Sequence, residues 1–163
     1  MREMPKTQLD PRIKKVWRIS DAIWITLIFL ACFVPFLIVA CVAPSQTWAL
    51  IVMAAVFGAY VLAMIVFMAV LPPIRYARWR FDLTEDYLEI AKGIIWRNRY
   101  LIPFIRVQNT DTRQGPILRA FGLSSVTVST AAGEHVIPGL GSDQADILRD
   151  RAAELARIAR EDV

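Results

Sequence analysis

Two long, uncharged, apolar runs constrain this chain more than any other feature of its sequence. No charged residue occurs over the 21 residues from Ala22 to Val42 or over the 24 residues from Trp48 to Leu71. At about 1.5 Å of rise per residue, a helix of either length crosses a hydrocarbon core about 30 Å thick. Neither run has the polar face that a buried helix of a soluble protein would show. The sequence therefore predicts two transmembrane helices.

The segment between the runs and the charges around them predict the topology. The segment APSQT, Ala43–Thr47, is uncharged and contains a proline, which is typical of a tight turn between antiparallel helices. Residues 1–21 carry six basic and three acidic side chains, and further arginines follow the second run. Because positively charged flanks stay in the cytoplasm, we expect a multi-pass protein of the cytoplasmic membrane with both termini cytoplasmic.

The sequence changes character at Pro72 and Pro73, which favour an end to the second helix. We therefore expect three regions: a basic cytoplasmic tail (1–21), a hairpin of two spans (22–42 and 48–71) and a cytoplasmic domain (72–163). In this domain apolar residues alternate with a period of two, which is typical of half-buried strands. Six strands are predicted: RWRFDLT, YLEIAKG, IIWRNRYLI, RVQNTDTRQ, SSVTVST and HVIP.

Short turns between consecutive strands favour antiparallel pairing. After the strands, Ser142 is a good N-cap, and apolar residues recur at helical spacing behind it. The fold class that follows is an α+β membrane protein. It consists of an N-terminal two-helix hairpin, then an antiparallel β-sandwich or partly open barrel, with a C-terminal capping helix.

Both cysteines lie in the first apolar run. Cys32 and Cys41 are nine residues apart, which places them on opposite sides of a helix, so neither a disulfide between them nor a zinc site is expected. The sequence IVAC, Ile38–Cys41, loosely resembles the lipid-attachment box of bacterial lipoproteins. Lipidation of Cys41 therefore stays open beside the simpler interpretation of two buried thiols.

The sequence contains no arrangement of residues that is typical of a catalytic site. His135 is the single histidine, no glycine-rich phosphate loop follows a strand, and no GxSxG motif occurs. We therefore expect no enzymatic activity, no cofactor and no metal. Residues 72–163 carry thirteen basic and twelve acidic side chains, which does not indicate the basic face of a nucleic-acid-binding domain.

One local excess of positive charge is a candidate binding surface. Five arginines lie in a stretch whose single acid is Asp111, namely Arg97, Arg99, Arg106, Arg113 and Arg119. Arginine makes two-pronged contacts to carboxylates and phosphates. The residues are either ordinary surface arginines or a surface that binds anionic lipid headgroups or an acidic partner.

The stretch from Arg80 to Gly133 carries a family resemblance, most specifically in LTEDYLEI, IPFIRVQNTDTRQGPILRAFGL and VSTAAG. With two spans directly upstream, the chain resembles bacterial pleckstrin-homology-like (PH-like) membrane proteins of the YdbS type, also called membrane-flanked domain proteins. The resemblance implies two roughly perpendicular antiparallel sheets, usually of seven strands in total, closed by a C-terminal helix. We therefore expect the long strand at Ile94–Ile102 to be two. Thr110 and Thr112 stand where relatives often have aliphatic residues, which indicates a partly buried face.

The resemblance implies a fold and a location rather than a reaction. Eukaryotic PH domains often bind phosphoinositides through basic residues between their first strands, and the corresponding loop here, Thr84–Tyr87, is acidic, which disfavours a phosphate. The favoured function is a non-enzymatic assembly module that binds other membrane proteins, whether family relatives or further copies of itself. The alternative is a module that binds anionic lipid headgroups through the five arginines.

Overall fold

The computed structural model describes residues 5–42 and 47–161. The turn predicted at Ala43–Thr47 therefore lies outside the described residues, except for Thr47. The chain forms two compact units. One, the membrane unit, is Trp17–Pro73; the other, the sheet domain, combines the chain up to Val16 with the chain from Ile74 onward.

Helices make up the whole of the described membrane unit. Helix α1 is Ile13–Val42 and α2 is Thr47–Ile65; a π-helical turn at Val66–Val70 leads into α3, Leu71–Arg78. Both Ile13–Val42 and the continuous helical segment Thr47–Arg78 are long and apolar enough to cross a membrane. The two predicted apolar runs are therefore helical throughout their described parts. The expectation that the second helix ends at Pro72 and Pro73 is wrong, because the helical segment continues to Arg78.

Side chains from α1 and α2 contact one another inside the membrane unit. The rings of Phe29 and Tyr60 are 4.3 Å apart between centroids, and the hydroxyls of Thr26 and Tyr60 are 3.4 Å apart. Near the start of α1, the Arg18 Nε donates a hydrogen bond of 2.9 Å to the carbonyl of Met68 in the π-helical turn. These contacts join the first part of α1 to the last part of the second helical segment, as an antiparallel hairpin requires.

The sheet domain contains two antiparallel sheets and a C-terminal helix. The first sheet has the order β1-β2-β3-β4, and the second has the order β5-β6-β7. A 3₁₀ turn, Phe104–Arg106, joins the sheets, and α4, Pro116–Ala120, connects β5 to β6. The strands are β1 Thr7–Gln8, β2 Arg80–Leu83, β3 Tyr87–Lys92, β4 Asn98–Pro103, β5 Val107–Arg113, β6 Leu123–Thr130 and β7 Gly133–Gly141, and the last helix is α5, Ser142–Glu161.

The seventh strand comes from the N-terminal tail. The expectation that Ile94–Ile102 contains two strands is wrong, because β4 begins only at Asn98 and the residues before it form a loop. Instead, β1 pairs with β2 in the register Thr7↔Phe81 and Gln8↔Arg80. In the sequence, both membrane helices therefore lie between the first strand and the second. The acidic loop Thr84–Tyr87 joins the second strand to the third.

The tail continues to pack on the sheet domain after β1. Leu9 and Ile13 are only 2% and 1% exposed, so they belong to the core. The amide of Asp10 donates a 3.0 Å hydrogen bond to the carbonyl of Gly139 in β7. Ile13 lies so close to Gly139 that a Cβ added there would be 2.5 Å from the isoleucine side chain.

Arg12 connects the same tail to the short segment between α4 and β6 by hydrogen bonds. Its guanidinium donates to the Asp10 carboxylate at 2.8 and 3.0 Å and to the carbonyl of Phe121 at 3.0 Å. The hydrogen bond from Arg12 lowers the pKa of Asp10 from its ordinary value. The corner segment that the sequence marks with closely spaced arginines is therefore held by an arginine from the tail.

The core lies between the two sheets and under α5. The alternation predicted from the sequence is confirmed where the two sheets face each other, since inward apolar residues of both sheets are buried. They are Phe81, Leu88, Ile90 and Ile102 from the first sheet and Val126, Val128 and Ile137 from the second. Helix α5 covers this core with Ala145, Ala152, Leu155 and Ala156.

The partly buried face expected at Thr110 and Thr112 is present. Both threonines are half-buried and pair with Val128 and Val126 in the register of β5 and β6. The Thr112 hydroxyl is 3.4 Å from a carboxylate oxygen of Asp146 on α5. The Thr112 hydroxyl can occupy this face because the face lies at the margin of the core, where the Asp146 carboxylate is within reach.

Candidate interaction surface

Strand β4 forms an open edge of the first sheet. It pairs with β3 along its whole length, while the order of strands places no other described strand on its second side. An edge of this kind presents unpaired backbone N–H and C=O groups. Beside it lies a cleft of about 760 Å³. We call it the β4 cleft, defined by Leu101–Pro103, Ile105–Gln108, Thr130–Ala132, His135 and Arg160.

The β4 cleft combines apolar side chains with positive charge. Leu101 and Ile105 are 46% and 47% exposed, which is high for large aliphatic residues. Arg106 and Arg160 supply two guanidinium groups, and none of the described residues that define the cleft is acidic. Arg160 also donates to the carbonyl of Val107, which holds the end of α5 against the start of β5. The cleft is therefore suited to an extended segment that carries both apolar and acidic groups.

His135 closes one end of this surface. Its ring lies against Tyr100 of β4, with centroids 5.0 Å apart, and the Lys92 ammonium lies 5.2 Å from the centre of the Tyr100 ring. Burial lowers the pKa of His135, and the positive charge of Lys92 lowers it further. The imidazole is therefore held in its neutral form more strongly than an exposed histidine would be.

The five arginines of the sequence-based site do not form one cluster. Arg97 precedes β4 and Arg106 follows it, so the six-residue strand, at about 3.3 Å per residue, separates them by roughly 20 Å. Arg113 ends β5, a further seven-residue strand beyond Arg106, and Arg119 lies on α4. Of the five, the β4 cleft includes Arg106 alone. Whether any of them binds a ligand stays a prediction.

Two of the five arginines pair with acids of the sheet domain. Arg99 pairs with Glu89 of β3, a carboxylate whose side chain is only 8% exposed. This hydrogen bond raises the pKa of Arg99. Arg113 pairs with Glu134 of β7 at 3.4 Å. Since a buried carboxylate requires a partner, Arg99 has a structural task that the sequence pattern did not indicate.

Sequence reasoning also missed Arg160, the second arginine of the cleft. In the sequence it is one of several charged residues on the polar face of a capping helix. Its place becomes evident only when α5 returns across the sheets to the start of β5. The signal available in the sequence was its position in the last turn of the helix, where basic side chains are favoured.

Comparison with known proteins agrees with this architecture. Residues 20–156 match the family model described as the bacterial PH domain. A Bacillus subtilis (strain 168) protein, UPF0699 transmembrane protein YdbS, is 36% identical over 163 residues, which cover all of both chains. No solved structure matches the chain. The chain is thus a membrane protein that belongs to the bacterial PH domain family and is similar over its whole length to YdbS.

Proposed function

We propose that this chain is a non-enzymatic assembly module at the inner face of the cytoplasmic membrane. Its sheet domain binds an extended, partly acidic segment of another membrane protein, and the segment lies along β4. The observation that carries this proposal is the open edge of β4 beside a cleft that has apolar and basic side chains and no acid.

The edge of β4 offers backbone hydrogen bonds to an added strand. Strand addition takes its affinity from main-chain hydrogen bonds and its specificity from pockets for alternate side chains. Leu101 and Ile105 would contact apolar side chains of the segment, and Arg106 and Arg160 would pair with its carboxylates. Confinement of both proteins to one membrane raises their effective concentration, so a weak strand contact is enough for assembly.

The inner-face location combines a structural constraint with a charge argument. The pairing of β1 with β2 in one sheet supports a topology in which the chain before the first membrane helix and the chain after the second lie on the same side of the membrane. The basic flanks favour the cytoplasmic side. Cysteines introduced at Lys6 and Asp143, in a background without Cys32 and Cys41, should resist an impermeant maleimide in intact cells and react after lysis.

Site-specific photo-crosslinking in the native membrane tests the assembly proposal. A photoreactive amino acid at Leu101 or Ile105 should give a protein-sized adduct, which mass spectrometry then identifies. Ile147 on α5, 69% exposed and outside the β4 cleft, is the matched control position. The Arg106→Glu change should reduce the adducts formed from Leu101. Equal yields from Leu101 and Ile147, or no adduct from the cleft positions, would refute the proposal.

Binding of anionic headgroups is the second candidate function. It is supported by Arg97, Arg106 and Arg119, for which the described part of the structure gives no ion pair with an acid. Charge reversal of these three residues should weaken binding of the reconstituted protein's sheet domain to anionic lipid. Arg99 is left intact in this series, because reversing it would place a second carboxylate beside the buried Glu89. Unchanged lipid binding would remove the support for this candidate.

A further inference from the structure

The loop between β3 and β4 exposes two large apolar side chains. Ile95 and Trp96 are 86% and 82% exposed, more than any other large hydrophobic residue in the described chain. The sequence predicted a strand here, which would have covered one side of this segment. Exposure on this scale in adjacent residues marks a surface that contacts an apolar phase or a partner. We call Gly93–Arg97 the β3–β4 loop.

The backbone conformation of Gly93 gives the β3–β4 loop a defined shape. Gly93 has a φ of +120°, and a Cβ at this position would lie 1.8 Å from the carbonyl oxygen of Trp96. Only glycine can make so tight a turn. At the base of the loop, the Arg78 guanidinium is 3.5 Å from the carbonyl of Ile94. The two apolar side chains are therefore presented by a defined turn.

Positive charge surrounds this apolar tip. Lys92 ends β3, Arg97 ends the loop and Arg78 contacts its base. No acidic residue occurs between Glu89 and Asp111, and Glu89 is already paired with Arg99. Tryptophan favours the interface between lipid and water, and basic side chains favour the anionic headgroups beside it. This combination fits a membrane surface better than an apolar protein partner, which would offer no anionic group to Arg78, Lys92 and Arg97.

The covalent chain keeps the loop within reach of the bilayer. Arg78 follows Leu71, the end of the second apolar run, by seven residues. Even a fully extended chain of this length spans at most about 25 Å. The backbone of Arg78 is therefore tethered within that distance of the end of the second apolar run, and the base of the β3–β4 loop lies beyond it by only the length of the Arg78 side chain and its hydrogen bond to Ile94.

We propose that the β3–β4 loop inserts Ile95 and Trp96 into the interfacial region of the inner leaflet, with Arg78, Lys92 and Arg97 against anionic headgroups. The loop serves as a second attachment beside the transmembrane helices. It holds the sheet domain in one orientation on the membrane. The inference goes beyond the assembly proposal, because the loop is separate from the β4 cleft and needs no partner protein.

Environment-sensitive labelling of the full chain in lipid nanodiscs tests this proposal. In a background of Cys32→Ala and Cys41→Ala, the Ile95→Cys variant carries an NBD fluorophore and Trp96 remains in place. The Ile147→Cys variant is the matched control. In nanodiscs that contain phosphatidylglycerol, the label at position 95 should emit at shorter wavelength, be quenched by spin-labelled lipid and be protected from iodide. The label at position 147 should be quenched by iodide.

Two further variants separate the components of the interaction. Adding Trp96→Glu should make the label at position 95 accessible to iodide, and it should leave the thermal unfolding unchanged because Trp96 is exposed. Adding Arg97→Glu should reduce quenching by spin-labelled lipid mainly in anionic nanodiscs. The proposal is wrong if the labels at positions 95 and 147 are equally accessible to iodide. It is also wrong if the shift at position 95 occurs without quenching by lipid, since that result indicates contact with a second protein copy.

Discussion

At the scale of single residues, Gly139 decides how closely the N-terminal tail approaches the sheet domain. Its φ is +65°, a conformation that residues with a Cβ rarely adopt, and Ile13 lies directly against it. The carbonyl of the same glycine accepts the amide hydrogen bond of Asp10. Gly139 therefore lies at a register shift within β7, accepts a hydrogen bond from the tail and leaves space for a core side chain.

Replacing Gly139 by alanine should destabilise the sheet domain by about 2–4 kcal/mol. The positive φ costs about 1 kcal/mol, and overpacking against Ile13 adds about 1–3 kcal/mol. Hydrogen exchange of the β6 and β7 amides in the full-length protein measures the change. Gly133→Ala is the control, because Gly133 has a φ of +134° with nothing within 4 Å of an added Cβ. A loss of only about 1 kcal/mol in Gly139→Ala, which the positive φ alone accounts for, would show that the contact with Ile13 contributes nothing.

At the scale of elements, the two sheets meet through β4 and β7 at Tyr100 and His135. This contact lies where the β4 cleft begins. It contains a titratable group whose charged form is disfavoured by burial and by Lys92. Mild acid should therefore destabilise the junction between the two sheets, where protonation of His135 is disfavoured.

The stability of the sheet domain should fall as the pH drops below about 6.5. The folded pKa of His135 is below its ordinary value of 6.5, so the unfolded chain binds the proton first. The stabilising contribution is complete above pH 6.5 and is lost as the pH falls toward the folded pKa. Hydrogen exchange measured against pH should show this loss in the wild type and a smaller one in His135→Asn. The prediction fails if the two profiles are parallel.

The sequence predicts a strand more readily when the strand with which it pairs is close in the chain. Strands β2, β3, β5, β6 and β7 pair with neighbours in the chain and carry clear alternation, so the sequence predicted them. The pattern of Ile94, Ile95 and Trp96 looked like the start of a strand, but the turn at Gly93 leaves these residues outside the sheet. Strand β1 has only two residues, and its partner lies beyond both membrane helices, so no local signal could predict it.

The candidate site was predictable in composition but not in arrangement. The sequence indicated an excess of arginine, yet arginines that are neighbours in the chain lie at opposite ends of β4 and β5. Arg106 instead shares a cleft with Arg160, which is distant in sequence and comes from the last helix. Spacing along a strand does not show which edge stays open or what packs beside it, because both depend on tertiary structure.

At the scale of the whole molecule, the sheet domain is discontinuous in sequence. Its first strand and two of its core side chains, Leu9 and Ile13, precede the membrane unit, and all its other elements follow it. The family model begins at residue 20, so this first strand lies outside the matched part of the chain. The tail is a component of the folded domain, in addition to supplying positive charge beside the first span.

Replacing Leu9 by alanine should therefore destabilise a domain whose other strands all lie beyond the second membrane helix. Removal of a buried leucine side chain costs about 2–5 kcal/mol. We expect a value of about 2–3 kcal/mol at this position because the tail contributes only a short edge strand. Limited proteolysis of the full-length protein should show faster cleavage after β2 in the variant. Lys6→Ala, at an exposed position, is the control. Equal protease resistance would mean that the tail is dispensable for the fold.

The pairing of β1 with β2 also has a consequence for biogenesis. A ribosome completes β1 before either membrane helix, and β1 must wait unpaired until the whole hairpin has been made and β2 has emerged. If only one of the two helices inserts, β1 and β2 lie on opposite sides of the membrane and cannot pair. The domain then lacks the edge strand β1 and the core side chains of Leu9 and Ile13. Correct insertion of both helices is thus a precondition for complete folding of the sheet domain.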